Sequence, residues 1–337
     1  MLAKCRLYEA PRGIAGLRAG VPRGTPSRPG VAGAVNTTKP AKRRGGTGPG
    51  KTAFFFLLPS LLILTLFTAV PLLIGLGLGF FEIDIFLREV RFAGLANYQR
   101  LVSDARFWNA VANTLYFAGV QMPCQVALAL LTAVFISRMT PFCRILRSVF
   151  FLPVVTSLTA MGIVWSMLLD PVLGTVPHFL VSLGLPRMEF LKDPALAMPS
   201  VILVTVWKNF GLSMMILLAG IQGIPESYYE AARIDGAGEW ALFRHVTLPL
   251  LVPALGFCVV TNTIGSLQVF DQVFVMTRGG PLFRTETLVQ YIYHRGFQSP
   301  PYNLGYASAI AQALFLMIAA VSLLLHKYLL TRETTEV

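Results

Sequence analysis

Six stretches of the chain are apolar for long enough to cross a lipid bilayer: residues 53–81, 108–137, 146–169, 198–223, 249–275 and 304–330. A hydrocarbon core of about 30 Å takes about 20 helical residues. Pro59, Pro71, Pro123, Pro153 and Pro253 fall inside these stretches. Membrane helices tolerate such prolines as kinks when neighbouring groups re-satisfy the freed carbonyls. The run from Val172 to Leu183 is apolar but too short to span, and it predicts a re-entrant or interfacial helix on the outer side. The pattern therefore predicts an all-α integral membrane protein. Six spans occupy residues 53–330, with a cytoplasmic loop at 224–248 and a short cytoplasmic tail at 331–337.

Residues 1–52 carry no apolar period and are rich in Gly, Pro, Arg and Thr. They predict a disordered basic tail. They are not a secretory signal, because no apolar core precedes residue 53. A start at Val35, ahead of Asn36-Thr37-Thr38-Lys39, would make an ordinary short tail and leave residues 1–34 outside the natural protein. Mass spectrometry of the native N-terminus distinguishes the two.

Composition agrees with the pattern. Hydrophobic residues make up 55% and charged residues only 13%, and the mean hydropathy is +0.64. Soluble domains carry about 25% charge, so this chain lacks the polar surface to cover a water-soluble globule. The net charge of +12 raises nucleic acid as a partner, but its distribution argues otherwise. Eleven of the 28 Lys and Arg lie in residues 1–51, against the single acid Glu9. A basic tail beside an apolar span suits anionic lipid and a cytoplasmic N-terminus. The loop with Arg138, Arg144 and Arg147 has no acid and supports the same orientation, with both termini cytoplasmic.

Cys5, Cys124, Cys143 and Cys258 have no metal-type spacing, and His178, His245, His294 and His326 are scattered. Neither a disulfide framework nor a metal site is predicted. Residues Gly45 to Thr52 match the phosphate-binding pattern GxxxxGK[ST] letter for letter. A working loop of that kind needs a buried strand before it and a soluble helix after it. Here a basic run precedes it and an apolar span follows, so it reads as a linker, and no ATP hydrolysis is expected of this chain.

The loop between the fourth and fifth spans is more informative. Pro225 opens a helix where its missing N–H costs nothing. Glu226 suits the positive end of that helix. Ala231 and Ala232 are small helix formers that allow a close approach. Gly236 and Gly238 end the helix and turn the chain. A second short amphipathic helix, Glu239 to Thr247, leads to Pro249. Two short helices would lie across one membrane face and present a knob. An ordinary loop is the bland alternative.

The run Glu230-Ala231-Ala232, then Asp235-Gly236-Ala237, then Leu248-Pro249 resembles the EAA motif of bacterial ABC importer permeases, the carbohydrate-uptake branch in particular. Further runs share the likeness: Val149-Phe150-Phe151-Leu152-Pro153, Trp207-Lys208, Ala219 to Pro225, Met276 to Pro281 and Gly305 to Ala309. The resemblance covers about residues 53–330. It implies a six-helix type I importer permease in the cell membrane. It implies a coupling helix, with Glu230, Ala231, Ala232, Asp235 and Gly236, that docks on a separate ATP-binding subunit. The implied machine has a second, similar permease subunit as a heterodimer partner, two ATPase subunits that use ATP and Mg, and an external solute-binding protein. The solute class implied is a sugar or sugar-like molecule, an oligosaccharide or a glycerol-3-phosphate type compound. No cofactor is expected on this chain.

Polar groups inside a span are costly and usually face a cavity or another helix. Asn262 and Ser266 sit four apart on one face of the fifth span, and in the family this helix supplies solute contacts. Thr156 and Ser157 follow Pro153, where a kink opens the backbone. Asn209 and Asp271 are further candidates for the path. Lys208 lies toward the outer third of its span. It is expected to snorkel outward, and the sharper alternative is that it meets an anionic solute. The Gly279-Gly280-Pro281 loop has turn chemistry and is a candidate contact for a binding protein. An ion-gradient-driven transporter is the competing class. Such proteins carry ionisable groups near mid-membrane, and here only Lys208 and Asp271 qualify, both toward the outer ends of their spans. A membrane enzyme finds no support in nucleophile–base or paired-carboxylate spacing.

Overall fold

The computed structural model describes residues 49–86, 89–137 and 140–330. Residues 1–48 of the expected tail 1–52, the alternative start at Val35, Arg138 and residues 331–337 lie outside them. The chain divides into two units, 1–59 and 60–337. In the first, the described residues open helix α1 (Pro49–Leu64), so Pro49 to Thr52 of the phosphate-loop lookalike form its first turn.

A π-helical turn, Thr65–Ala69, leads to α2 (Val70–Leu78). The apolar window of Phe54–Leu78 buries none of its residues inside the chain, as a lipid-facing or partner-facing span would. A two-stranded antiparallel ribbon follows, β1 (Phe81–Ile83) and β2 (Val90–Phe92), with Phe81 opposite Phe92. This ribbon is absent from the helical pattern of the sequence. Asn97, in α3 (Ala96–Ser103), donates to the Gly79 and Phe81 carbonyls and ties the ribbon down.

Helix α4 (Ala105–Ile136) is capped by Asp104, whose carboxylate accepts the N–H groups of Arg106 and Phe107 at 2.9 and 3.4 Å. Pro141 then starts α5 (Pro141–Val155), capped by Thr140. After a break at Thr156 and Ser157 comes α6 (Leu158–Leu168). The expected short helix of the 172–183 run is α7 (Thr175–Ser182). Next are α8 (Ala197–Gln222), α9 (Glu226–Ile234) and α10 (Glu239–Leu242). A second π turn, Phe243–Thr247, joins α10 to α11 (Leu248–Leu250). The described residues end with α12 (Val252–Leu267), α13 (Asp271–Met276), α14 (Leu288–Tyr293), a third π turn at His294–Gln298, and α15 (Leu304–Leu330).

Among the described residues, four helical stretches are long and apolar enough to span: Phe54–Leu78, Ala105–Ile136, Ala197–Gln222 and Leu304–Lys327. Two more exist only as bent pairs, at the proline-bearing spans expected at 146–169 and 249–275. Phe142–Val155 and Leu158–Leu168 meet at 96°, and Glu239–Leu250 and Val252–Leu267 meet at 65°. The first bend follows Pro153, which removes a helical donor just before the break. The fifth stretch also stops at Leu267, and its remainder forms the separate α13.

Helix α8 is the axis of the bundle. Its apolar window is 67% buried, against 28% for α4. Glycines on α8 let its neighbours close in. A Cβ on Gly211 would lie 2.3 Å from the Phe150 carbonyl of α5, and one on Gly220 would lie 2.7 Å from Leu251. One apolar cluster joins α4 and α8 through Ala129, Ala133, Ile136, Met214 and Leu217 to Leu251 and Cys258 near and within α12.

Candidate functional site

Two regions matter: the short helices between α8 and α12, and the polar groups where α4, α5 and α12 meet the middle of α8.

Helix α9 has no buried residue. Its end is a left-handed glycine cap. Gly236 sits at φ 83°, its N–H donates to Arg233 O at 3.0 Å, and the N–H of Ala237 reaches back to Ala232 O at 2.9 Å. Those two bonds satisfy carbonyls that the helix end would leave open. The turn is why Gly stands at 236, since an L side chain there costs about 1–2 kcal/mol. Helix α9 displays Glu230, Ala231 and Asp235 to the exterior, and Ala232 is half-buried. Tyr228, Ile234 and Trp240 are also exposed, Ile234 by 86%. On the other side, the Tyr229 hydroxyl meets the Thr247 hydroxyl at 3.0 Å and ties α9 to the second π turn. A cavity of about 710 Å³ lies beneath, lined by Tyr229, Arg233, Leu242 and Thr247 together with Val134 and Gln222. The surface is an exposed two-helix knob, mixed acidic and apolar, on a light attachment.

The residues expected along the path divide into two groups. Lys208 and Asn209 lie at the middle of α8; Val154, just ahead of Thr156 and Ser157, meets Lys208, and Asn262 joins α8 through Ser213. Thr156 caps α5, with its hydroxyl on Pro153 O at 2.6 Å, and Ser157 is exposed at the start of α6. Lys208 departs from the expected outward snorkelling. It is 5% exposed, and its ammonium donates to Val154 O at 3.3 Å. The break after Val155 leaves carbonyls of α5 without helical donors, and a cation at a helix C-terminus is favoured there. Ser266 and Asp271 stand apart. Ser266 is buried with its hydroxyl on Thr263 O, and Asp271 is exposed in the first turn of α13.

Asn262 belongs to a chain of side-chain amides. Its Oδ1 accepts from Gln125 Nε2 at 2.7 Å, and its Nδ2 donates to Ser213 Oγ at 2.9 Å. Gln125 Nε2 also reaches Ser213 Oγ at 3.2 Å and the Asn209 carbonyl at 3.4 Å. Gln125 Oε1 accepts from Gln121 Nε2. Gln121, Gln125 and Ser213 are not among the residues expected from the sequence. The signal was present: two amides four apart on an otherwise apolar span share a face, and that face here is the buried stripe of α4.

Beyond α13, a second polar cluster closes the opposite end of α12. Asp104 accepts the hydroxyls of Tyr291 and Tyr306, each at 2.5 Å, and lies 3.8 Å from Arg295. Burial raises its pKa, but the two tyrosine hydroxyls and two backbone N–H groups outweigh that and hold it below the usual carboxylate value. Arg106 grips the buried Glu286 with two bonds of 2.7 Å and stacks 3.9 Å over Phe283. Between these points the Gly279–Pro281 loop is held rigidly. Thr285 Oγ1 bonds both Thr277 Oγ1 and Gly280 O at 2.7 Å, and Asn109 and Asn113 hold Phe283 O. Arg278, Leu282 and Phe283 take positive φ, and Leu282 is 81% exposed. Among the described residues no cluster of metal-ligating side chains occurs.

Comparison with known proteins gives a consistent result. Residues 106–334 match the family described as "Binding-protein-dependent transport system inner membrane component". The "Probable ABC transporter permease protein YurN" of Bacillus subtilis (strain 168) is 34% identical over 285 residues, covering 82% of this chain and 96% of that protein. The "Lactose transport system permease protein LacF" of Rhizobium radiobacter is 34% identical over 278 residues, covering 80% and 91%. Among solved structures, a chain of a bacterial alginate ABC transporter, in complex with its alginate pentasaccharide-bound periplasmic protein, superposes with a TM-score of 0.69 at 26% identity. That match covers 85% of this chain and 96% of the other.

Proposed function

Since the chain belongs to the family of binding-protein-dependent transport system inner membrane components, we propose that it forms half of the translocation path for a sugar or sugar-like solute in an ATP-driven importer. A second permease subunit supplies the other half, and two separate ATPase subunits supply the energy. A solute-binding protein delivers the cargo, as the alginate transporter's complex with its periplasmic protein suggests by likeness. Both termini are cytoplasmic in this reading, and ATP and Mg act on the partners alone.

The observation that carries the reading is the α9 knob. A helix with no buried residue, ended by a left-handed glycine and carrying an 86%-exposed isoleucine, is built to be covered by something outside the chain. Glu230, Ala231, Ala232, Asp235 and Gly236 form the docking element, and closure of the ATPase subunits acts through it. Lys208, Thr156, Ser157, Asn209 and Asn262 flank the path at mid-bundle. Ser266 and Asp271 extend it toward the other end. The charge of Lys208 is occupied by the α5 carbonyl, which favours a structural role over contact with an anionic solute.

The test uses the complete complex in vesicles, with radiolabelled lactose, maltose and glycerol 3-phosphate as probes. Uptake requires ATP and a binding protein. Gly236→Pro leaves the permease inserted and the ATPase active but abolishes the link between hydrolysis and uptake. Uptake on a proton or sodium gradient alone, or unchanged uptake by Gly236→Pro, overturns the proposal.

A further inference from the structure

We propose that Gln125 is a positioning residue for solute passage: it fixes which way round the Asn262 amide stands. The inference rests on the reading of Asn262 as part of the path.

An asparagine amide has a donor end and an acceptor end of nearly equal shape, so its direction follows from its neighbours. Ser213 cannot choose, because a hydroxyl both donates and accepts. Gln125 can. Its Nε2 lies 3.4 Å from the Asn209 backbone carbonyl, which only accepts, so the NH₂ end of Gln125 must face that way. The same NH₂ then meets Asn262 at 2.7 Å and requires Oδ1 there. Asn262 Nδ2 is thereby turned to Ser213 at 2.9 Å. Direction thus passes from a fixed carbonyl on α8 through α4 to a half-buried amide on α12.

Gln125 is itself held. It is 1% exposed, and its Oε1 takes a bond from Gln121, leaving Gln121 Oε1 buried without a partner. The outcome at Asn262 is specific. One Nδ2 hydrogen is spent on Ser213 and the other is left over, so Asn262 offers solute an N–H donor. It would recognise the lone pairs of a hydroxyl or ring oxygen.

The test is uptake by the assembled complex in vesicles with the same three probes, and side-chain amide exchange of the complex in D₂O. Gln125→Met keeps the size and removes the amide. Expected is a rise of about threefold in apparent KM with little change in maximal rate or in the amount of complex, the factor typical of one interhelical hydrogen bond. Asn262→Ala raises KM as well, and the double variant is no worse than the worse single one. The Asn262 amide protons, assigned by their loss in Asn262→Ala, exchange at least about tenfold faster in Gln125→Met. Unchanged exchange overturns the inference whichever probe is carried. So does an unchanged KM in Gln125→Met alongside a raised one in Asn262→Ala, which leaves the path reading intact. If Asn262→Ala itself leaves KM unchanged, the path reading at Asn262 fails and the inference falls with it.

Discussion

Single residues here act mainly by what they stop a neighbour from doing. Gly211 keeps a methyl group away from the Phe150 carbonyl, so α5 and α8 can touch backbone to side. Lys208 covers a carbonyl that the break in α5 uncovers. His294 shows the same logic in protonation. Burial pushes its pKa down, Arg106 and Arg295 add to the effect, and Glu286 opposes it. A lowered value in the folded state means that the unfolded chain binds the proton more readily. The contribution is complete above about 6.5, the ordinary histidine value, and is lost as pH falls from there through the folded value. Asp104 is also lowered, so its contribution is lost only at more acid pH, below the ordinary carboxylate value of 3.8. Thermal unfolding in detergent should therefore show two separate losses on acidification. His294→Gln should remove the upper one and leave the lower in place.

Elements are where sequence and structure can be weighed. The spans were legible because lipid demands about 20 apolar residues from each, whatever they pack against. The cap of α9 was legible too, since Gly236 signals a left-handed turn by itself. The breaks were half legible. Pro153 marked a weak point, but 96° and 65° angles depend on what α8 and the loop helices press against. The partners of Lys208 and Asn262 were not legible at all. They lie on other spans, and nothing in the local pattern names which carbonyl or amide will stand opposite. The strand ribbon at Phe81–Phe92 was missed for a related reason: two three-residue strands carry too little alternation to read. At this scale Tyr229 is the residue to change. Its hydroxyl joins α9 to Thr247, so Tyr229→Phe should leave assembly and basal ATP hydrolysis intact. Solute-stimulated hydrolysis should fall by about threefold, as expected for one hydrogen bond.

Across the whole molecule, α8 holds the middle and ion pairs hold the end away from α9. Arg106 on α4 and Glu286 ahead of α14 are joined across the loop that carries Leu282. Glu286 is 2% exposed and the Arg106 side chain 22%, so removing Glu286 leaves a guanidinium that is only partly solvated. Glu286→Ala should cost about 1–3 kcal/mol in thermal or denaturant unfolding of the complex. Replacing both partners by methionine should recover much of that, because no charge is then left unpaired. A double variant as unstable as Glu286→Ala would show that the pair's geometry, and not its charge balance, secures the loop.

The π turn at Phe243–Thr247 has a consequence for how the docking surface can vary. A π turn holds one residue more than the α turn it replaces. At 3.6 residues per turn, one extra residue puts a regular helical wheel out by about 100° across this point, while the wide turn itself lets the helix on either side keep its facing. The direction in which Trp240 points, relative to Pro249, therefore cannot be taken from a regular helical wheel. A lineage that dropped the extra residue would close the wide turn to an α turn and keep α10 facing the same way, with only its sequence register shifted by one. A one-residue gap at this place in an alignment should therefore be read as a closed π turn that displays the same surface, and not as a rotated one.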